Sequence, residues 1–219
     1  MLYWLMKVVL GPILRVVFRV RIEGREHLPA HGAVILAANH QAFCDSLFIP
    51  LVVPRRVTFL AKAEYFDDPK SAWFYRAVGQ IPIRRGSGSA AARALDTAAE
   101  ELAQGKVIAM YPEGTRSPDG HCYKGRTGIA RLSIHTGAPV LPIGLRGTAE
   151  VQPIGSKLLR PFRRVTVCFG EPLIPTPEDR TLAEDDLHGI LRRFTDELME
   201  RISTLSGRPY EDRYAPRVP

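Results

Sequence analysis

Short apolar or alternating runs of strand length recur along the chain, and each is bounded by glycine, proline or charged residues. Runs of this kind are typical of buried or half-buried β-strands. They predict seven strands, at residues 18–24, 33–38, 57–62, 80–85, 107–112, 140–147 and 164–170.

Helical patterns lie between several of these strands. Residues 88–104 carry an apolar face and are followed by Gly105, and residues 126–136 form a second apolar helix. Thr181 and Glu184 have the spacing of a capping box ahead of a third helix. The apolar positions of that last helix are Leu187, Ile190, Leu191, Phe194, Leu198 and Ile202.

Strands that alternate with helices predict an α/β fold. We expect a single domain at residues 21–206, with a mixed, largely parallel central sheet flanked by helices. Residues 1–20 are expected to form a separate amphipathic helix, and residues 207–219 an extended C-terminal tail without periodicity.

The N-terminal segment is strongly apolar, but Lys7 and Arg15 interrupt it. It therefore lacks the run of about 18 apolar residues that marks a membrane-spanning helix. Lys7, Arg15 and Arg19 fall on one helical face, which predicts a helix in a membrane interface with its basic side toward lipid headgroups. The alternative is a first helix that packs on the protein's own core.

The formal net charge of +7 and the pI of about 9.6 favour an anionic partner, such as nucleic acid, anionic lipid, a phosphorylated substrate or an acidic carrier protein. Nucleic acid is disfavoured because the sequence has no aromatic-interleaved basic cluster and no nucleic-acid motif. Cys44, Cys122 and Cys168 are odd in number and scattered, so we expect reduced thiols of a cytosolic protein and no metal site.

The stretch NHQAFCD, residues 39–45, follows the predicted strand at 33–38. Of the six histidines, only His40 has a carboxylate five positions later, at Asp45. A carboxylate on Nδ1–H would fix the imidazole tautomer and leave Nε2 free to accept a proton from a hydroxyl. The alternative is that Asp45 only caps a short helix and His40 is an ordinary loop histidine.

A second polar stretch, YPEGTRS at residues 111–117, also follows a predicted strand. Glu113 and Arg116 offer one acceptor and one forked donor, suited to a hydroxyl and a phosphate. The alternative is that Glu113 and Arg116 only form a local ion pair in a tight polar turn.

Arg84 and Arg85 leave a third strand end, and Lys62 leaves another. Ligands of α/β sheets bind at the carboxyl ends of the strands. If these strands are parallel, the polar stretches meet at one edge of the sheet. The alternative for the arginine pair is a solvated basic edge.

In this order, the blocks NHQAFCD, GQIPIRR, YPEGTRS and VLPIGL resemble the glycerolipid acyltransferase family of lysophosphatidic acid acyltransferases. The resemblance covers roughly residues 24–175. Here the arginine block reads Arg84-Arg85 where the family commonly has aspartate before arginine.

The resemblance implies that His40 is the general base and that Asp45 orients it. The remaining blocks would bind the glycerol phosphate, through the residues Lys62, Arg84, Arg85, Glu113, Gly114, Thr115 and Arg116. No metal or cofactor is implied, because acyl-CoA or acyl carrier protein delivers the acyl group as co-substrate. The implied product is phosphatidic acid, made at the cytoplasmic face of the cell membrane by a peripheral or monotopic enzyme.

Two other functions remain open at this point. The same family chemistry could act on another lysophospholipid, a glycolipid or a lyso-amino-acid lipid. A basic domain that binds anionic membrane without catalysis is the third hypothesis.

Overall fold

The computed structural model describes residues 2–83, 88–176, 179 and 186–216, except for the side chains of Lys62, Gly88 and Ser89. Within these residues, a seven-stranded sheet lies between two layers of helices, and a two-stranded ladder lies beside it. The strands are β1 (Arg21–Glu23), β2 (Val34–Ala38), β3 (Val57–Lys62), β4 (Ile81–Ile83), β5 (Val107–Met110), β6 (Cys122–Tyr123), β7 (Val140–Arg146), β8 (Thr166–Phe169) and β9 (Tyr210–Glu211).

The main sheet has the strand order β1-β8-β7-β2-β5-β3-β4. The β7–β8 pair is antiparallel and the other pairs are parallel. The predicted mixed, largely parallel sheet is therefore confirmed, and all seven predicted strands belong to it. The carboxyl ends of β2, β5, β3 and β4 meet at one edge of the sheet.

Helices cover both faces of this sheet. They are α1 (Leu2–Val17), α2 (Asp45–Val52), α3 (Glu64–Asp67), α4 (Pro69–Ala77), α5 (Gly88–Ala103), α6 (Gly128–Thr136), α7 (Thr148–Val151) and α8 (Leu187–Ser206), with a 3₁₀ turn at Arg25–His27. The helices predicted at 88–104 and 126–136 are confirmed as α5 and α6. The capping box predicted at Thr181 and Glu184 lies outside the described residues, and α8 is capped by Asp186, whose side chain accepts from the Gly189 N–H.

The core has two parts, one on each face of the sheet, and β2 contributes to both. Val34, Leu36 and Ala38 pack with α2, whereas Ile35 and Ala37 pack with α5, α6 and α8. Successive strand residues point to opposite faces, so a strand between two helical layers is apolar at every position. This explains why β2 reads as an unbroken apolar run.

Two cations of the predicted basic face of α1, Lys7 and Arg15, bind the protein, although Arg15 and Arg19 also remain exposed. Lys7 Nζ donates to the carbonyl of Val53, and Arg15 Nη2 donates to the carbonyl of Leu51 at 2.8 Å. The last carbonyls of α2 have no partners within the helix and carry its negative dipole end, so they attract these cations. Apart from Arg15, the exposed positions of α1 are apolar, and the large ones are Trp4, Leu5, Val8, Val9, Leu10, Ile13 and Val16.

Among the helices that the structure describes, none combines the length and the apolar character needed to cross a membrane.

The segment after α8 is tied to the protein rather than loose. Gly207, with φ of 64°, ends α8 in the left-handed conformation. Strand β9 then pairs in parallel with β6, where Cys122 N–H donates to the carbonyl of Pro209 at 2.9 Å. Residues 217–219 lie outside the described residues.

Candidate active site

The loop after β2 is anchored at its first residue. Asn39 is fully buried, and its side chain exchanges two hydrogen bonds with the backbone of Leu145 on neighbouring β7, at 3.1 and 2.7 Å. The amide thereby continues the sheet's hydrogen bonding one residue beyond β2 and places His40 at the carboxyl edge of the sheet. Sequence reasoning missed this role, because the partner strand is not evident from the chain order.

His40 and Asp45 form a hydrogen-bonded pair. Nδ1 of His40 lies 2.9 Å from Oδ2 of Asp45, and their side chains are 13% and 0% exposed. Oδ2 also accepts the backbone N–H groups of Gln41 at 2.7 Å and Ala42 at 2.9 Å. An acceptor at Nδ1 keeps the proton there and leaves Nε2 as a proton acceptor.

The carboxylate of Asp45 points back into the loop that carries His40. Asp45 is the first residue of α2, and Cys44 occupies the cap position without a side-chain cap bond. The alternative in which Asp45 only caps the helix is therefore not the observed arrangement.

Tyr111 stacks on the face of the His40 imidazole, a contact that sequence reasoning missed. The ring centroids are 3.9 Å apart and the planes differ by 9°. The Tyr111 hydroxyl lies 2.9 Å from Oγ of Ser46, and Phe59 stacks on Tyr111 at 5.8 Å. The imidazole is thus held by a carboxylate at its edge and an aromatic ring on its face.

The 111–117 segment, which follows β5, is bound to the His40 loop. Ser117 N–H donates to the carbonyl of His40 at 2.7 Å, and His40 N–H donates to Oε1 of Glu113 at 3.3 Å. Gly114 has φ of 72°, a conformation that favours glycine, and a Cβ there would lie 3.0 Å from Nε of Arg126. The two polar stretches predicted to converge do so because β2 and β5 are adjacent and parallel.

Glu113 faces the protein interior. It is 2% exposed, and burial raises its pKa to about 8, despite the backbone N–H groups of His40 and Tyr123 that favour the carboxylate. It lies behind the His40 backbone rather than in the cavity described next, so in this structure it braces the loop.

A cavity of about 630 Å³ opens at His40. Thr115 and Arg116 share its lining with His40, and much of the remaining wall is apolar. The apolar wall comes mainly from α1, α2 and α4, through residues that include Met6, Leu10, Leu47, Leu51, Phe74 and Val78. The cavity therefore joins a base and a cation to a space that suits a hydrocarbon chain.

Three predicted cationic residues cannot be placed against this cavity. Arg84 and Arg85 lie outside the described residues, directly after β4. Lys62 is the last residue of β3, and its side chain is not described. The strands that carry them end at the same sheet edge as β2 and β5.

The three cysteines are free and buried. Cys44 is adjacent to Asp45, but its Sγ faces the carbonyl of Thr148 at 3.7 Å. Burial and the Asp45 carboxylate raise the pKa of Cys44 to about 12, so its thiol is a poor nucleophile. In the described part of the chain, histidine, cysteine and carboxylate side chains form no cluster of three that would hold a metal.

Comparison with known proteins gives a consistent picture. A family model described as acyltransferase matches residues 19–146. The chain is 30% identical over 157 residues to a chloroplastic 1-acyl-sn-glycerol-3-phosphate acyltransferase of Arabidopsis thaliana, covering 71% of this chain and 44% of that protein. It is 25% identical over 156 residues to the enzyme of that name from Bacillus subtilis, covering 70% and 73%.

A solved structure is also similar. The crystal structure of the 1-acyl-sn-glycerophosphate acyltransferase PlsC from Thermotoga maritima matches with a TM-score of 0.64 and 27% identity. The match covers 90% of this chain and 81% of that chain. The chain spans about half the length of its plant relatives, with 44% and 47% of two of them covered.

Proposed function

Because the chain belongs to the acyltransferase family, we propose that it transfers a fatty acyl group to the free hydroxyl of 1-acylglycerol-3-phosphate, forming phosphatidic acid. The donor in this proposal is a thioester, either acyl-CoA or acyl carrier protein. The relatives named as 1-acyl-sn-glycerol-3-phosphate acyltransferases support the choice of acceptor.

The observation that carries the proposal is that His40, held by the buried Asp45, lines a largely apolar cavity together with Thr115 and Arg116. Nε2 of His40 takes the proton of the acceptor hydroxyl as its oxygen attacks the thioester carbonyl. When the tetrahedral intermediate collapses, the carbon–sulfur bond breaks and the thiolate takes that proton from the imidazolium. The buried Asp45 carboxylate stabilises the imidazolium between these two steps.

In this proposal the acceptor phosphate binds near Arg116 and Thr115, which line the cavity beside His40. A guanidinium binds phosphate with two parallel hydrogen bonds, which orients the glycerol as well as holding it. Arg84, Arg85 and Lys62 remain candidates for the same phosphate, because their strands end at the same edge. Glu113 and Gly114 support this site by shaping the loop.

We further propose that the protein binds the cytoplasmic face of the cell membrane through α1. The exposed side of α1 is a nearly continuous apolar surface, which water solvates poorly and a bilayer accommodates. In this orientation the apolar side of α1, rather than its basic side, meets the lipid.

The test is thiol release from acyl-CoA, and in a parallel assay from acyl carrier protein, with 1-acylglycerol-3-phosphate as acceptor. We expect His40→Ala to lower kcat by about 10²- to 10⁴-fold, the usual contribution of a general base. Asp45→Asn should lower kcat as well, whereas His135→Ala, at an exposed position of α6, should leave it unchanged.

Near-normal turnover by His40→Ala would overturn the mechanism. A panel with another lysophospholipid, a glycolipid and a lyso-amino-acid lipid tests the acceptor, and a higher kcat/KM for one of these would replace it. Binding to anionic vesicles without transfer to any acceptor would instead favour a non-enzymatic membrane-binding domain.

A further inference from the structure

The loop between α7 and β8, residues 153–164, exposes three large apolar side chains. Ile154, Leu158 and Phe162 are 46%, 79% and 67% exposed. Isolated exposed apolar residues are ordinary, but three large ones within nine positions of one loop are unusual. We call residues 153–164 the apolar loop.

The same loop is strongly basic. Lys157, Arg160, Arg163 and Arg164 are all exposed, and the loop contains no aspartate or glutamate. Large apolar tips interleaved with cations and without acids suit the boundary between anionic lipid headgroups and acyl chains.

The apolar loop is held in place by hydrogen bonds at both ends. The Gln152 side chain, just before the loop, accepts from Cys44 N–H at 2.8 Å and donates to the carbonyl of Ser156 at 3.2 Å. Phe162 N–H donates to the carbonyl of Val17 at 3.1 Å, which ties the loop to the C-terminal end of α1.

Phe162 has an unfavourable backbone conformation. Its φ of 63° lies in the left-handed region that L-residues with a Cβ rarely adopt. The residue therefore combines backbone strain with an exposed aromatic ring, and neither stabilises the fold. Backbone strain of this kind is concentrated at functional sites, which favours a role of Phe162 in binding.

The apolar loop also contributes to the catalytic cavity. Lys157 and Leu159 line the cavity, whereas Leu158 between them is exposed to the outside. The loop is thus a wall with one side toward the cavity and the other toward the surroundings, and α1 lines the cavity as well.

We propose that the apolar loop is a second membrane-docking element, which inserts Ile154, Leu158 and Phe162 into an anionic bilayer beside α1. Arg160, Arg163 and Arg164 contact lipid phosphates, and the inner side of the loop, with Lys157 and Leu159, then places the cavity against the leaflet. Docking by itself does not depend on the proposed acyl transfer. The delivery of a lipid acceptor from the leaflet to His40 does depend on it.

The test measures binding of the full chain to vesicles of pure phosphatidylcholine and of equimolar phosphatidylcholine and phosphatidylglycerol, without donor or acceptor. The double variant Leu158→Ser/Phe162→Gly should weaken binding to the anionic vesicles by about ten-fold or more, from the apolar area withdrawn from lipid. Glycine also relieves the strained φ, so the variant should be at least as stable in urea as the wild type.

The matched control is Ile174→Ser. Ile174 is 70% exposed, similar to Leu158, but it follows Leu173, which bridges to Val140 at the start of β7, away from the catalytic edge. We expect this variant to bind vesicles like the wild type.

Unchanged vesicle binding by the double variant, or an equal loss in Ile174→Ser, would overturn the proposal. If vesicle binding is unchanged and transfer from acyl carrier protein becomes slower, the loop binds a protein partner instead of the membrane. If no acyl transfer is found at all, the vesicle measurement still decides the docking, so the two proposals fail separately. With transfer present, the double variant should lose activity toward vesicle-bound acceptor and keep it toward a dispersed short-chain acceptor.

Discussion

His40 owes its orientation to groups from its own segment, residues 39–45, and from the 111–117 segment. Asp45 holds the edge of its ring, Tyr111 holds the face, and Glu113 holds its backbone N–H. A general base contributes fully only when its ring is fixed toward the reacting hydroxyl, because misalignment lowers the rate.

The stacking contact leads to a prediction for Tyr111. An aromatic pair contributes about 0.5–1.5 kcal/mol beyond its buried area, which corresponds to roughly a two- to ten-fold effect if it holds the base. We expect Tyr111→Leu to lower kcat by that factor with a smaller change in KM, and Tyr111→Phe, which keeps the stack, to remain near the wild type. Phe59→Leu is the control, because Phe59 stacks on Tyr111 whereas Tyr111 is the ring that stacks on His40. Wild-type kcat in Tyr111→Leu would contradict this role.

The raised pKa of Glu113 predicts a pH-dependent stability. Its pKa is 4.5 in the unfolded chain and about 8 in the folded protein. Between these values the folded protein keeps a proton that the unfolded chain releases, so the free energy of unfolding falls as pH rises, by up to about 1.4 kcal/mol per pH unit.

Glu113→Gln should remove that slope, because glutamine does not titrate. Urea unfolding at about pH 5 and about pH 8 measures it, with the exposed Glu100→Gln on α5 as control. The prediction fails if Glu113→Gln loses as much stability between the two pH values as the wild type does.

The sequence was informative about groups that are close along the chain and uninformative about those brought together by the sheet. The five-residue spacing of His40 and Asp45 made their pairing one of two interpretations, and the structure shows the paired one. The stacking of Tyr111 on His40 and the hydrogen bonds of Asn39 with Leu145 require β2 to lie between β5 and β7. The apolar runs in the sequence do not encode that strand order.

At the scale of elements, α1 and α2 stabilise each other through charge as well as packing. Helix α2 ends at Val52, and the carbonyls of Leu51 and Val53 accept from Arg15 and Lys7. The periodicity predicted a basic stripe correctly but could not show whether it faces lipid or protein, because both carry negative acceptors.

This packing leads to a prediction for Arg15. Removal of the guanidinium leaves the Leu51 carbonyl without its charged donor, so Arg15→Met should lower the free energy of unfolding by about 1–2 kcal/mol. Arg19→Met, a change of the same kind at an exposed position just after α1, should stay within about 0.5 kcal/mol of the wild type. Urea unfolding of both variants measures the difference, and equal losses would show that α2 does not need the cation.

Elements that were missed from the sequence are short or depend on distant partners. Helix α4 has local signals, since Asp68 accepts from Lys70 N–H and Pro69 is its first residue. Strands β6 and β9 have two residues each and exist because they pair with each other. No periodicity can be recognised over two residues.

At the scale of the molecule, the segment around Lys124 is held by residues 209–213, which follow α8. Lys124 N–H donates to the carbonyls of Glu211 and Arg213, and its ammonium lies 2.8 Å from Asp212. The backbone N–H of Tyr123, the neighbour of Lys124, favours the carboxylate form of Glu113 and so acts to lower its pKa. Residues 209–213 therefore hold the backbone beside Tyr123, whose N–H acts on the same Glu113 carboxylate that accepts from His40 N–H.

This connection predicts the effect of truncation. Deletion of residues 209–219 should speed hydrogen exchange at the amides of Cys122 and Lys124 by about ten-fold or more and lower kcat, because the loop loses its acceptors. Deletion of residues 215–219 keeps those acceptors and serves as the control. Unchanged exchange in the longer deletion would show that the segment is dispensable for the loop.

The same connection sets an order of events during translation. Helix α1, with its apolar outer side, leaves the ribosome before any strand of the sheet, whereas residues 209–213 leave it after all of them. A nascent chain therefore presents α1, the helix proposed to bind lipid, early, whereas the hydrogen bonds from Lys124 N–H to Glu211 and Arg213 form only after synthesis has passed residue 213. If α1 binds the membrane as proposed, this binding can begin before Lys124 has its acceptors in residues 211–213.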